Sequence, residues 1–231
     1  MRCNAASTYL VPPGVDAASA ALARLAAVSW SSLTTTLARP PEWVAVTGLG
    51  IIGNLAAQMF AAAGYRVLAC DPLAARRELL AGRGIEVRER LPIEDPTWTE
   101  KVAMVVDCSG HEGAALDGCR MVRKGGEVVL VGVPWKRRAD IQAFDVMHAV
   151  FHRYVHLRSG WEWEVPREPG EFRRASLREN TIAAMEWLAS GRIRHDGIVL
   201  RADPRAVQQV YSDLQAQRGS NLTAVFDWSL L

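Results

Sequence analysis

Residues 44–71 read VAVTGLGIIGNLAAQMFAAAGYRVLACD. Residues 44–47 are a short, β-branched apolar run, the composition of a strand buried on both faces. Gly48, Gly50 and Gly53 follow at once with GxGxxG spacing. In that pattern the first glycine permits a tight turn. The second lets the backbone approach a pyrophosphate, and the third lets the next helix pack closely. Ile51 and Ile52 lie between the glycines and complete the loop. Residues 54–63 are helix-forming, with Gly64 as a C-cap. Residues 66–70 read as a second strand closed by Asp71. An acid about twenty residues beyond the glycines can accept hydrogen bonds from both hydroxyls of an adenosine ribose. The competing role for Asp71 is a helix cap before Pro72. The strand–glycine loop–helix–strand context favours the ribose.

The rhythm continues on both sides. Upstream, residues 1–15 are irregular, and Asp16 caps an Ala- and Leu-rich helix to about Thr35. Downstream, a helix over 72–80, a strand over 84–88 and a strand over 102–107 are expected. The turn Cys108-Ser109-Gly110 then leads into a helix to about Val122. Gly125-Gly126 is a turn before a fifth strand at 127–131. A helix over 141–151 precedes a sixth strand at 154–158. Strands separated by helices imply a parallel, doubly wound sheet, and six in this rhythm match the Rossmann order 3-2-1-4-5-6. Cys108, Ser109 and Gly110, then Val131, Gly132 and Val133, then Ser159 lie at the carboxyl ends of the last three strands. Open α/β sheets bind ligands along that edge. Beyond an aromatic and charged loop at 161–172, a capping box at Ser176 and Glu179 opens a helix ending before Gly191. A strand at 198–200, a helix from Asp203-Pro204 to about Gln217 and a strand at 222–228 complete the chain. The organisation expected is an N-terminal segment and linker helix at 1–38, a Rossmann domain at 39–160, and a C-terminal extension at 161–231 packed on the sheet.

Composition narrows the function classes. The chain has 231 residues, and its 27 Lys and Arg nearly balance its 25 Asp and Glu, for a net charge of +2. Nothing in that balance suggests a nucleic-acid or acidic-membrane partner. No apolar run approaches the ~20 residues that span a bilayer. The four cysteines, Cys3, Cys70, Cys108 and Cys119, show no CxxC spacing. They read as reduced thiols in a cytoplasmic protein.

Taken together, several motifs make the chain resemble the medium-chain dehydrogenase/reductase family, the zinc-type alcohol and polyol dehydrogenases. They are LVPPGVD at 10–16, GLGIIG at 48–53, Asp71 with Arg76, VVDCSG at 105–110, GGEVVLVGVP at 125–134 and VHLRSG at 155–160. The tail segments MEWLASGRIR, ADPRAVQQVYSDL and LTAVFDW extend the match. The resemblance implies an NAD(H)-binding oxidoreductase with a small-molecule substrate, and a homodimer through the edge of the sixth strand. It also implies that most of the family's N-terminal catalytic domain is missing. In many polyol-type members an acid in the Ala-rich helix completes a zinc site. Here Ala23 or Arg24 stands at that place, and neither binds zinc. No zinc is therefore expected, and no catalytic residue is assigned. The alternative is a non-catalytic NAD-binding module that works with a partner chain.

Other candidates carry plainer readings. Gly110-His111-Glu112 copies the start of the family's zinc signature, but no second ligand follows, so His111 reads as a loop residue near the adenine. Asp71 repels a 2′-phosphate and favours NAD over NADP, although Arg76 and Arg77 blur that preference. Lys136-Arg137-Arg138 could meet an anionic substrate, with a solvated loop favoured. Trp161 and Trp163 could line a pocket or cover the sheet. No tyrosine has a lysine four residues on, against a short-chain dehydrogenase. Gly53 and the tail argue against a methyltransferase.

Overall fold

The structure is a computed structural model that describes residues 8–173 and 175–231. Cys3 and the first residues of the irregular N-terminal segment lie outside them. Six strands form one parallel sheet: β1 (Trp43–Thr47), β2 (Arg66–Cys70), β3 (Glu86–Arg88), β4 (Val102–Asp107), β5 (Val122–Leu130) and β6 (His156–Ser159). Their spatial order is β3-β2-β1-β4-β5-β6, the Rossmann order expected from the sequence. β1 and β4 are buried along nearly their whole length, which explains why their sequences run apolar instead of alternating.

The helices are α1 (Ala17–Thr35), α2 (Ile51–Ala62), α3 (Ala74–Glu78), α4 (Glu112–Met121), α5 (Ala143–Arg153), α6 (Leu177–Ala189) and α7 (Val207–Gln215). One face of the sheet buries Val44, Val46, Met104 and Val106 against Ala56, Ala57 and Phe60 of α2. The other buries Ala45, Leu68, Val105 and Val128 against Leu116 and Cys119 of α4 and Ala149 of α5. Strands β7 (Val199–Ala202) and β8 (Thr223–Phe226) make a separate parallel pair. A third cluster joins Leu22, Ala26 and Trp30 of α1 to Leu55 and Met59 of α2 and to Ala184 and Leu188 of α6. The segment after β6 therefore meets the sheet through α1 and α2.

Local differences from the sequence reading have physical causes. α2 begins at Ile51, three residues early, because Gly50 with extended backbone already serves as its N-cap. β5 begins at Val122 and runs through the glycines expected to form a turn. Val102 pairs with Val122 and Met104 with Glu127, so residues 123–126 bulge out of the ladder. β6 begins two residues late because Tyr154, at φ 54°, closes α5 in the left-handed conformation. The loop at 161–172 contains a 3-10 turn, Glu162–Glu164. Asp16 caps α1 as expected, accepting from the Ala18 and Ser19 amides. Buried Glu127 ties the linker to the sheet by accepting from Thr36 Oγ1, the Leu37 amide and Arg158.

Candidate functional site

The carboxyl ends of β1, β2 and β4 open into a cleft of about 620 Å³, within the size range of small-molecule and cofactor sites. Gly48, at φ +80°, turns the chain out of β1, and its amide donates to the Cys70 carbonyl at 2.8 Å. A Cβ on Gly48 would lie 2.7 Å from the Ser109 backbone, and one on Gly53 would lie 1.8 Å from the Gly48 carbonyl oxygen. Both positions are closed to any side chain. The third glycine therefore sets how close α2 approaches the β1 turn. Gly50 differs: a Cβ there would meet nothing within 4 Å. Its bare backbone lines the cleft at the start of α2, where free amides and the helix dipole favour an anion. Lack of a side chain facing open space is what a cofactor phosphate in contact with the backbone requires.

Asp71 lies at the base of the cleft and is 2% exposed. Its Oδ2 accepts from the Leu49 amide at 2.7 Å and from Arg76 Nη1 at 3.3 Å, and its Oδ1 accepts from the Leu73 amide at 2.9 Å. The capping and loop-facing roles coexist in one carboxylate. Arg77 turns away and donates to the Asp71 and Pro72 carbonyls.

Cys108 and Ser109 line the cleft with His111. The Cys108 thiol is pushed well up by burial and further by the Asp107 carboxylate. Burial alone accounts for most of the rise of Cys70 to about 12. Both thiols stay protonated at neutral pH and are poor nucleophiles. His111 caps α4 through Nδ1, which accepts from the Gly113 amide at 3.1 Å. Gly110, Val131, Gly132 and Val133 form the packed floor between β4 and β5: a Cβ on Gly110 would lie 2.5 Å from the Val133 carbonyl oxygen. Of the expected cofactor residues, Gly48, Gly50, Asp71, Arg76, Cys108 and Ser109 line the cleft, whereas Ile51, Ile52, Gly53, Gly110, Val131, Gly132, Val133 and Ser159 do not. Ser159 is exposed at the end of β6.

Several cleft features were not singled out from sequence. Asp107 is 1% exposed and gathers the three central strand ends. Its Oδ1 accepts from Thr47 Oγ1 at 2.7 Å and Ser109 Oγ at 2.5 Å, its Oδ2 from the Gly110 amide at 3.2 Å, and its carbonyl from the Val131 and Gly132 amides. An acid closing an apolar strand, as Asp71 does, was the available signal. Arg90 and Gln217 also line the cleft, and so does Arg138, the last of the Lys136-Arg137-Arg138 run already weighed from sequence as an anion contact or a solvated loop. The Arg138 amide donates to the Glu112 carboxylate, which draws the 136–138 loop onto α4, while Arg137 pairs with Asp140. Gln217 comes from the tail after α7, and no local motif marks it. Near the place of the family's zinc-site acid, Arg24 forms a two-pronged ion pair with Glu162, which is 3% exposed. Trp161 and Trp163 stack, with centroids 4.7 Å apart.

Residues 52–164 match the zinc-binding dehydrogenase family model. The chain is 34% identical over 153 residues to an alcohol dehydrogenase of Geobacillus stearothermophilus, an alignment covering 63% of this chain and 45% of that one. It is 33% identical over 139 residues to L-galactonate-5-dehydrogenase of Escherichia coli K12, covering 55% and 39%. The chain thus spans less than half the length of these curated relatives. Among solved structures, acetophenone reductase from Geotrichum candidum in complex with NAD superposes with a TM-score of 0.71 at 18% identity, over 92% of this chain and 57% of that one. With the strand order and the glycine loop, these matches make the chain similar to the zinc-type medium-chain dehydrogenases, whose NAD(P)-binding fold it carries.

Proposed function

We propose that the cleft binds NAD(H) in preference to NADP(H) and that the protein is an oxidoreductase acting on an alcohol, a polyol or the matching carbonyl compound. The observation that carries this reading is the open face of Gly50 above the buried carboxylate of Asp71. The pyrophosphate would lie on the amides at the start of α2, and the adenosine ribose on Asp71. A carboxylate has about four acceptor sites, and three are engaged by the protein. Arg76, the one side-chain donor among them, is the partner a ribose hydroxyl can displace. A 2′-phosphate would bring like charge against Asp71. Bound nicotinamide would supply the hydride chemistry, and this chain would position it.

We infer a zinc-independent site. Arg24 is engaged by Glu162, His111 Nδ1 is engaged as a helix cap, and among the described residues no three His, Cys, Asp or Glu gather at metal-binding geometry. A homodimer through the β6 edge also fits. β6 pairs with β5 alone among the described strands, and Phe144, Met147, Phe151 and Tyr154 beside it are all more than three-fifths exposed. Among the described residues no helix is long and apolar enough to cross a membrane. The near-balanced charge of the chain supports the proposal of a cytoplasmic protein without a nucleic-acid or acidic-membrane partner.

Titration of the intrinsic fluorescence of the eight tryptophans with NADH and NADPH tests the cofactor assignment. NADH should bind tighter by about tenfold, equivalent to ~1.4 kcal/mol. Asp71→Ala should bring the ratio toward one. Tighter NADPH binding by the wild-type chain would overturn the assignment.

A further inference from the structure

The C-terminal end of α2 borders a second concavity, a groove of about 510 Å³ walled by α2, the turn after α3 and the segment between α6 and β7. Its polar wall is Gln58, Arg83, Arg192 and Arg194. α2 has 12 residues, which puts this groove roughly 16 Å along the helix from the glycine loop.

Gln58 organises the groove. It is 5% exposed, and its amide is committed to the protein. Oε1 accepts from Arg83 Nη1 at 3.0 Å and from the Arg194 amide at 2.8 Å. Nε2 donates to Asn54 Oδ1 at 2.7 Å and to the Arg194 carbonyl at 3.0 Å. One buried side chain therefore holds two separate arginine-bearing segments at the same opening. Arg192 joins them, laid over the Trp187 ring at 4.9 Å. Gly82 and Gly191 also line the groove; both have φ above +70°, and neither would meet an atom within 4 Å if given a Cβ, so the mouth stays open.

The charge is unbalanced. Among the described residues none of these three guanidinium groups is ion-paired, whereas twelve other arginines are. The acid acting on Arg83 is exposed Asp196, and Arg194 opposes it with like charge. The C-terminal dipole of α2 contributes about half a negative charge. With Asp196 counted in full, a surplus of roughly one to two positive charges remains. Arginine forks match the oxygens of phosphate and carboxylate. A tetrahedral dianion has enough terminal oxygens for three guanidinium groups and matches the surplus, whereas one carboxylate has too few.

We propose that this groove binds a phosphate group, either free or carried by a small phosphomonoester. The site is independent of the dinucleotide cleft and of the cofactor reading.

The test is a 31P NMR titration of the full chain with inorganic phosphate and, separately, with glycerol 3-phosphate, using chloride to hold ionic strength constant. Saturable binding is expected. It should weaken about tenfold or more in the double variant Arg83→Gln with Arg194→Gln, since two charge-assisted contacts are lost. Arg192→Gln leaves every Gln58 bond in place and should weaken it several-fold, so the proposal stays testable if the double variant folds poorly. NADH titration of Arg192→Gln should match wild type. Tighter binding of glycerol 3-phosphate would identify the monoester as the ligand; equal binding would identify free phosphate, and both uphold the site. Binding unaffected by Arg192→Gln and by the double variant would overturn it. So would heparin binding without phosphate binding, the mark of a general polyanion surface.

Discussion

Gly53 and Asp71 belong to one motif but respond to different constraints. At Gly53 the constraint is steric: an added Cβ would sit 1.8 Å from the Gly48 carbonyl oxygen, and backbone cannot give way as a flexible side chain can. Gly53→Ala should push α2 off the β1 turn, cost at least about 2 kcal/mol in urea unfolding and abolish NADH binding. A stable variant with wild-type NADH affinity would show that the loop tolerates this shift. At Asp71 the constraint is electrostatic, and on the proposed NAD(H) reading its replacement should act on cofactor choice as well as on the loop. The GxGxxG spacing made both legible in the sequence. Asp107 was legible only as the end of a strand. Its role in joining β1, β4 and the 109–110 turn depends on Thr47, sixty residues earlier, arriving beside it.

Among the described elements, α1 and α6 pack against each other through a shared apolar cluster. Leu188 of α6, 5% exposed, packs in the cluster shared with Leu22, Ala26 and Trp30 of α1, and the Trp30 and Trp187 rings meet edge-on at 4.7 Å. Leu188→Ala should cost about 2–4 kcal/mol, read from the urea midpoint at unchanged m value. A loss below about 0.5 kcal/mol would mean that α6 is only loosely docked. Helices and strands between 16 and 159 were readable because capping residues, glycines and apolar runs lie within a few residues of the boundaries they set. The bulge in β5 and the start of β6 were not readable. Each is decided by a neighbouring strand or helix end: pairing with Met104 for the first, the left-handed turn at Tyr154 for the second.

For the whole molecule, the open β6 edge and the exposed apolar face of α5 favour self-association. Light scattering at micromolar concentration should give a dimer mass, and Phe151→Lys combined with Leu157→Glu should give a monomer, since charges on an edge oppose strand pairing. A wild-type monomer would rule the dimer out. Elemental analysis after dialysis should find well under one zinc per chain. About one zinc per chain would overturn the zinc-independent reading, with Cys108 and His111 the first positions to examine.

The sequence alone determined the strand order, the position of the glycine loop and the family resemblance, because each rests on short-range patterns: apolar runs bounded by turns, glycines at fixed spacing, an acid closing a strand. Only the tertiary structure decided which strand-end residues open into the cleft and which form its packed floor, because that depends on how β4 and β5 abut at Gly110 and Val133. It also decided the contributions of Arg90, Arg138 and Gln217, which come from three loops distant in sequence. The arginine groove is of the same kind. Gln58, Arg83 and the 192–194 segment share no motif, and a single buried glutamine amide brings two of those arginines to one place.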